Sequence, residues 1–276
     1  MPVTLEQIVA RKRVEVAQSR QKTPLETLRE RVGSCDKPRN FFSAVVNGRD
    51  RDRGHSRIIA EIKRKSPSAG VIREDFDPVR IARQYHQGGA SALSVLTDDR
   101  DFGGRLEFIA QVREAVPLPV LRKDFIIDEY QVWEARAAGA DAVLLIAEVL
   151  SEGELLDLMI LVRELGMTSL VEVHAVETLL KVKNHIGFPH AGYSLLGINN
   201  RDLATMKTDV SHTLRVIEFV EDRRVVVAES GIHSRADLAR LRQKDVRIAL
   251  VGEHLLRQPD PGAALRDLLS RDPDDE

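Results

Sequence analysis

The chain has few of the residues that mark disulfide-rich, metal-binding or membrane-spanning proteins. Its 276 residues include a single cysteine, Cys35, so no intramolecular disulfide can form, and no Cys/His spacing of the zinc-site type occurs. No apolar run approaches the ~18 residues that a membrane helix needs, and the N-terminus lacks the basic-then-apolar pattern of a secretory signal. We therefore expect a soluble, reduced, cytoplasmic protein without a structural metal.

An excess of charge of one sign is also lacking. The 41 Lys and Arg residues nearly balance the 43 Asp and Glu residues, which leaves a formal net charge of −2. The chain therefore lacks the excess of basic residues that would indicate nucleic acid or an anionic membrane as a partner. Hydrophobic residues make up 43% of the chain, enough for a sizeable core, and a single α/β barrel of about 250 residues fits the length.

Short apolar runs recur along the chain and alternate with longer amphipathic stretches. The runs lie at residues 57–63, 92–97, 119–125, 141–147, 168–173, 194–199, 225–229 and 246–251. Each is rich in Val, Ile and Leu, as buried strands are, and helix-like sequence follows it. Strands that are apolar on both faces and alternate with helices eight times favour an α/β fold of the (βα)8 TIM barrel type over an open sheet.

An N-terminal extension precedes the first predicted strand. The residues that follow Thr4 and Thr23 have the spacing of capping boxes, which predicts helices from about Leu5 and Pro24, and a further short helix is predicted at residues 40–46. The predicted division assigns 1–56 to a helical extension packed on the barrel, with its polar linker at 48–56, 57–270 to the catalytic barrel and 271–276 to an acidic tail.

Two opposite charges interrupt the first predicted strand. Glu61 and Lys63 are two residues apart, so they share a face with Ile59, because side chains alternate along a strand. Desolvated ions on the inner face of a strand are costly unless they are paired or used. The pair is therefore either a structural ion pair at the end of a strand or part of a functional site.

The same alternation brings polar residues of four later strands to one mouth of the barrel, at the C-terminal strand ends where barrel enzymes place their chemistry. The inward-facing residues there are Lys123, Phe125, Glu172, His174, Asn199, Arg201 and Glu229. A lone Lys or Glu at a strand end is usually solvated, but converging opposite charges can take separate acid and base roles. We assign His174 to the following loop, and Arg122 and Asp124 to the outward face.

A phosphate site is predicted beyond the seventh and eighth strands. Ser230 and Gly231 follow one of them and Gly252 follows the other, where barrels commonly bind phosphate through bare backbone N–H groups. Ser66, in the loop after the first strand, can add a hydroxyl donor. Glu253 would have to turn its carboxylate away or weaken the site, so we expect the backbone to bind the phosphate.

Five segments together resemble the indole-3-glycerol-phosphate synthase family. They are residues 59–68 (IAEIKRKSPS), 119–126 (PVLRKDFI), 171–174 (VEVH), 197–203 (GINNRDL) and 228–232 (AESGI). The resemblance runs from the N-terminal helices to the last helix. It implies a (βα)8 barrel with an N-terminal extension, no metal or organic cofactor, and a role in tryptophan biosynthesis. The implied reaction converts 1-(2-carboxyphenylamino)-1-deoxyribulose 5-phosphate into indole-3-glycerol phosphate, with release of carbon dioxide and water.

The resemblance also implies roles for individual residues. Lys123, with a pKa lowered by burial, would be the acid that closes the ring, and Glu172 its partner carboxylate. Lys63, oriented by Glu61, would be a second acid or the anchor of the anthranilate carboxylate, and which lysine acts in which step stays open. Further substrate contacts would come from Asn199, Glu229, Arg201, Ser66 and Ser230, the aromatic slot from Phe102, Phe125, Leu144 and Ile146, and the phosphate contacts from Gly231, Gly252 and the Glu253 backbone.

Other functions fit part of this pattern. An inward lysine above a phosphate site also suits a Schiff-base aldolase or a sugar-phosphate isomerase. A catalytically silent sugar-phosphate-binding barrel would be expected to lack Lys123 or Glu172, and both are present. Residues 101–104 (DFGG) are either a mobile lid or a turn. We expect a small sugar phosphate as the only partner and a monomer, with a dimer as the alternative.

Overall fold

A computed structural model describes residues 4–47, 56–188, 190–202 and 205–270. Residues 48–55 of the predicted linker and the predicted acidic tail, 271–276, lie outside these ranges. Within the described ranges, no helix has both the length and the apolar character needed to cross a bilayer.

Three helices precede the first strand, namely α1 (Leu5–Lys22), α2 (Leu25–Ser34) and α3 (Phe41–Val46). The capping box at Thr4 forms as predicted, because Thr4 and Gln7 exchange side-chain bonds with each other's backbone N–H groups at 3.1 and 3.3 Å. The second predicted capping box is wrong. Pro24 is the N-cap of α2, without a side-chain bond, since Thr23 ends α1 by donating its N–H to the Ser19 carbonyl.

Eight parallel strands close into a barrel in which β1 pairs with both the second and the last barrel strand, which confirms the predicted fold. The barrel strands are β1 (Arg57–Ile62), β4 (Ala92–Leu96), β5 (Val120–Lys123), β6 (Ala142–Ile146), β7 (Thr168–Val173), β8 (Ser194–Asn199), β9 (Val226–Glu229) and β10 (Ile248–Val251). Between the first two of them, β2 (Lys65–Ser66) and β3 (Gly70–Val71) form a small antiparallel hairpin.

Helices alternate with the strands and cover the outside of the barrel. They are α4 (Pro78–Gly88), α5 (Asp99–Phe102), α6 (Glu107–Ala115), α7 (Glu129–Ala137), α8 (Glu152–Glu164), α9 (Val176–Val182), α10 (Ser211–Val216), α11 (Arg235–Arg242), α12 (Glu253–Leu256) and α13 (Pro261–Leu269). As the Gly-Ala pair at 89–90 indicates, Gly89 ends α4 in the left-handed conformation, with φ of 95°.

The inward side chains fill the barrel, and helix α3 closes its N-terminal end. Phe41 and Val45 of α3 are fully buried against this interior. The strand residues that form it are Ile59, Ala92, Leu121, Ala142, Leu144, Ile146, Leu170, Leu195, Val227, Ile248 and Leu250. The opposite, C-terminal end stays open, so the polar residues at the strand ends face a cavity.

Candidate active site

A cavity of about 1110 Å³ opens at the C-terminal ends of the barrel strands. Every site residue predicted from the sequence lines it. These residues are Glu61, Lys63, Ser66, Phe102, Lys123, Phe125, Leu144, Glu172, Asn199, Arg201, Glu229, Ser230, Gly231, Gly252 and Glu253. The structure thus brings the whole predicted constellation into one place. Among the described residues, no group of three or more His, Cys, Asp or Glu side chains could hold a metal ion.

Lys123 lies at the centre of this cavity, at the end of β5. Its Nζ donates to Oε2 of Glu172 at 2.9 Å and to Oε2 of Glu229 at 3.0 Å. Burial alone would lower the pKa of Lys123, but the carboxylates of Glu172, Glu229 and Glu61 outweigh it, and the pKa is raised. The expected lowering is therefore wrong: three acidic neighbours hold the proton on the lysine.

The two carboxyl groups that share Lys123 differ in their ionisation. Burial opposes the charge of Glu172, but Lys123 and His174 outweigh burial and lower its pKa to about 2. For Glu229, burial acts together with the neighbouring Glu172 carboxylate, and the pKa is raised well above its ordinary value. Of the two, Glu172 therefore ionises at the lower pH and Glu229 at the higher.

Glu61 and Lys63 form an ion pair on the rim of the cavity. Oε1 of Glu61 lies 2.5 Å from Nζ of Lys63, and both side chains are largely buried. A Cβ on residue 252 would overlap the Glu61 carboxylate, so this position needs glycine. The close approach of Glu61 thus explains why residue 252 is glycine. The glycine does not by itself indicate a phosphate-binding site.

The loop after β9 adopts an unusual backbone conformation. Ser230 has φ of 65° and Gly231 has φ of 74°. A positive φ is uncommon for a residue other than glycine and tends to occur at functional sites. Nδ2 of Asn200 donates to the Ser230 carbonyl at 3.0 Å, and Oδ1 of Asn200 accepts from the Thr213 N–H at 2.9 Å. Asn200 points away from the cavity, so sequence reasoning about inward residues missed it.

Arg201 and Glu253 lie on the same side of the mouth. Nη1 of Arg201 donates to Oγ of Ser68 at 3.2 Å, and its N–H donates to Oδ1 of Asn199 at 3.0 Å. Oε1 of Glu253 accepts two bonds from Arg257, at 3.0 and 2.8 Å, and its Oε2 is 3.8 Å from Arg201. The Glu253 carboxylate is thus held by arginine side chains, which the sequence did not predict.

An apolar wall forms another part of the cavity lining. The rings of Phe102 and Phe125 lie 6.3 Å apart between centroids, and Leu144 and Ile146 are buried beneath the cavity. Phe102 ends the short helix α5, and Gly103 caps it in the left-handed conformation, with φ of 65°. Its Asp101 forms an ion pair with Arg11 of α1, with 2.8 Å between the charged atoms.

His174 lies in the loop after β7, as predicted, and its side chain lines the cavity. Its ring is between Oε2 of Glu148, 3.2 Å from Nδ1, and Oε1 of Glu172, 3.5 Å from Nε2. The side-chain alternation of β7 simply continues one residue past its last strand residue, Val173. That alternation had already placed His174 on the inner face, and it was the stronger signal.

The outward residues of β5 connect the barrel to the surrounding helices, as predicted. Arg122 forms an ion pair with Glu134 of α7 at 2.8 Å. Asp124 binds Nζ of the buried Lys12 of α1, also at 2.8 Å, and the same Nζ lies 2.8 Å from Asp98. Lys12 lies far from these partners in sequence, and nothing in the pattern of α1 pointed to them.

Comparison with known proteins identifies a family. Residues 5–268 match the family model described as Indole-3-glycerol phosphate synthase. A relative of that name from Acidithiobacillus ferrooxidans is 47% identical over 268 residues, which cover 96% of this chain and 97% of the relative. Another, from Rhodospirillum rubrum, is 44% identical over 265 residues, 96% of this chain and 98% of the relative. A third, from Rhodopirellula baltica, is 50% identical over 214 residues, 78% and 80% of the two chains.

Solved structures of other proteins share the barrel. The 3-hexulose-6-phosphate synthase of Salmonella typhimurium has a TM-score of 0.60 at 14% identity and covers 77% of this chain and 96% of its own. Thiamine phosphate pyrophosphorylase from Pyrococcus furiosus has a TM-score of 0.55 at 16% identity, with 78% and 95% covered. Similarity at such low identity shows the fold alone. The match to the family model and to relatives of nearly the same length shows more: this chain belongs to the indole-3-glycerol phosphate synthase family, the carboxy-lyases of tryptophan biosynthesis.

Proposed function

We propose that Lys123 is the general acid that closes the pyrrole ring of the ribulose-phosphate substrate, and that Glu172 is its partner carboxylate. The observation that carries this proposal is the position of Nζ of Lys123, 2.9 Å from Glu172 and 3.0 Å from Glu229 at the centre of the cavity. A buried ammonium between two carboxyl groups is fixed in place and keeps its proton until a stronger base arrives.

Ring closure creates that stronger base. The aromatic carbon that bears the carboxylate attacks the ribulose carbonyl carbon, and the π electrons of the carbonyl move to its oxygen. An alkoxide is far more basic than an amine, so a lysine with a raised pKa can still protonate it. The product of this step is an alcohol, and Lys123 is left neutral beside Glu172.

The remaining steps release carbon dioxide and water. Loss of carbon dioxide returns the electron pair of the broken bond to the ring. Loss of the new hydroxyl as water then needs one proton delivered to oxygen and one proton removed from the substrate. We assign proton removal to Glu172, because its lowered pKa keeps it ionised. Proton delivery falls to Lys63, or to Lys123 after solvent has returned its proton, and the proposal leaves that choice open.

Lys63 and Arg201 supply positive charge for the two anionic ends of the substrate. Lys63, paired with Glu61 at 2.5 Å, is placed to anchor the anthranilate carboxylate if it is not the second acid. The backbone of the loops that begin at Gly231 and Gly252 is the proposed phosphate end, with Ser66 and Arg201 nearby. Asn199 and Glu229 would bind the substrate hydroxyls or the anilino nitrogen.

The apolar wall gives the aromatic ring its place. Phe102, Phe125, Leu144 and Ile146 line the same cavity as the charged groups. Filling this slot with the ring would exclude water and strengthen each electrostatic contact in the cavity. We also propose that the enzyme works as a monomer, because one chain supplies both the acid and the partner carboxylate. We propose that it acts in the cytoplasm and that this small molecule is its only partner.

Turnover of the carboxyphenylamino-deoxyribulose phosphate, followed by indole fluorescence, tests the assignment. Lys123→Met should lower kcat by roughly 10²–10⁴-fold, the usual contribution of a positioned acid. Lys181→Met, which replaces an exposed lysine of α9, is the matched control and should behave like the native enzyme. Unchanged turnover in Lys123→Met would rule out the role. Borohydride trapping of a covalent lysine adduct would instead favour the aldolase reaction.

A further inference from the structure

The carboxylate of Glu172 lies between two cationic groups, only one of which has a role so far. Its Oε2 accepts a bond from Lys123 at 2.9 Å, and its Oε1 lies 3.5 Å from Nε2 of His174. On the other side of the imidazole, Nδ1 is 3.2 Å from Oε2 of Glu148. The backbone N–H of His174 donates to Oε1 of the same glutamate at 2.7 Å, so Glu148 holds the histidine at two points.

This arrangement favours a protonated ring. A neutral imidazole has one donor and one acceptor nitrogen, whereas the imidazolium donates from both. Both nitrogens of His174 face carboxylate oxygens, so only the imidazolium suits both neighbours. Burial alone would lower the pKa of His174, but Glu148 and Glu172 outweigh it and raise the pKa.

Two further titratable groups act near the ring. Lys123 of β5 opposes the protonation of His174 because it carries the same charge. His212 of α10 lies against the backbone of His174, and burial lowers its own pKa, so it adds little positive charge. Glu172 of β7 and Glu148, in the turn after β6, therefore decide the charge of the ring.

We propose that His174 and Glu148 are positioning residues that keep Glu172 ionised and in place when Lys123 gives up its proton. The inference rests on the proposed roles of Lys123 and Glu172. At the moment of proton transfer, Glu172 loses the charge of its first partner while it is still buried. A buried carboxylate without a cation would take up a proton and could no longer act as a base. The imidazolium supplies the second cation, and Glu148 keeps the imidazolium charged and oriented.

The dependence of kcat on pH tests the inference, because the two residues should move opposite limbs of the profile. In His174→Gln, Glu172 takes up a proton more readily in the enzyme–substrate complex, so the acidic limb of kcat should move to higher pH and kcat at neutral pH should fall about 10-fold or more. In Glu148→Gln, the ring stays but loses its charged partner, so His174 should lose its proton earlier and the alkaline limb should move to lower pH. A purely structural defect would lower kcat without such opposite shifts.

Two controls separate this inference from the proposed function. His174→Lys returns a cation and should restore the acidic limb towards its native position. NMR titration of labelled histidines should place the pKa of His174 above the ordinary value of about 6.5 in the native enzyme and lower in Glu148→Gln. Native profiles in both variants, or a His174 that titrates at or below the ordinary value, would overturn the inference. If the inference is overturned while Lys123→Met and Glu172→Gln are inactive in the same experiments, the proposed roles of Lys123 and Glu172 still stand. If Lys123→Met is active, the proposed function itself is wrong.

Discussion

Glu229 reaches Lys123 because the neighbouring residue of β8, Gly197, has no side chain. A Cβ on Gly197 would overlap Oε1 of Glu229, while the backbone of Gly197 is not in the left-handed region that glycine alone favours. The glycine is therefore required by the carboxyl group across the strand pair and not by its own conformation. Gly252 has the same relationship to Glu61, so the carboxyl groups of Glu229 and Glu61 each lie against a glycine.

Gly197→Ala should therefore damage the active site and leave the fold intact. The added methyl group would push Glu229 away from Lys123, and a displacement of about 1 Å at a reacting centre can cost about 100-fold in rate. We expect kcat to fall by about that factor, measured by indole fluorescence, with a native circular dichroism spectrum. Gly153→Ala on α8 is the control, since a Cβ there meets nothing within 4 Å. Native turnover in Gly197→Ala would contradict the argument.

Glu229→Gln should change stability with a distinctive pH dependence. The raised pKa of Glu229 means that the folded protein binds its proton more tightly than the unfolded chain does. Such a group costs stability progressively as pH rises above the unfolded value of about 4.3. Glutamine cannot ionise and avoids this cost, so the variant should gain in Tm at pH 8 relative to the native enzyme, with little difference near pH 4.

The matching substitution of Glu172 should have the opposite sign. Glu172 has a lowered pKa, so its ionised form stabilises the fold at neutral pH, and Glu172→Gln should lower Tm at pH 8. Thermal melts of both variants across pH 4–8 provide the comparison. Equal changes in Tm for the two variants would contradict opposite pKa shifts for Glu172 and Glu229.

The mouth of the barrel could be predicted from the sequence because side-chain alternation is a local property. Once Glu61 was placed inward, counting by two along each later strand placed Lys123, Glu172 and Asn199 on the same wall. The same counting included His174, but the end of the predicted strand was given more weight than the alternation. The last residue of a strand is uncertain by one or two positions, whereas the alternation of side-chain direction can continue past it.

The electrostatics of the site could not be predicted in the same way. The pKa of Lys123 depends on how close the ends of β7 and β9 come to β5, which is a property of the closed barrel. Whether Gly252 serves a ligand or a neighbouring side chain likewise depends on the atoms across from it. At Thr23 two local signals competed, and the end of α1 prevailed over the start of α2.

Lys12→Met should loosen the contact between the extension and the mouth. Nζ of Lys12 lies 2.8 Å from both Asp98 and Asp124, and all three side chains are buried. Removing one partner of a buried ion pair costs about 3–5 kcal/mol when the other charge is left without a partner. Here Asp98 keeps Arg11 at 2.7 Å and Asp124 keeps Arg122 at 3.1 Å, so the loss should be smaller than that. We expect that loss in the free energy of unfolding at pH 7, measured by urea denaturation. Arg13→Met, one residue away but exposed, is the control and should change it by far less.

The loss should shrink as the solution is acidified. Burial opposes the charge of Asp124, but Arg122 and Lys12 outweigh burial and lower its pKa. A lowered pKa contributes stability above the unfolded value of about 3.9, and this contribution disappears as pH falls through the folded value. The native enzyme should therefore begin to lose its advantage over Lys12→Met below about pH 4. A difference that stays constant from pH 7 to pH 3 would show that the contact of Lys12 is not electrostatic.

Phe41→Ala should separate stability from catalysis. Phe41 of α3 is fully buried against Ile59 and Leu121 at the end of the barrel opposite Lys123. Truncating a buried phenylalanine costs about 3–5 kcal/mol, so the urea midpoint should fall strongly, whereas Phe219→Ala, which removes a half-exposed ring, should have little effect. Well below its melting temperature, Phe41→Ala should keep native kcat, because the mouth is built from strands that still pair. A loss of kcat with a native urea midpoint would mean that α3 acts on the active site through the barrel and is not a purely structural closure.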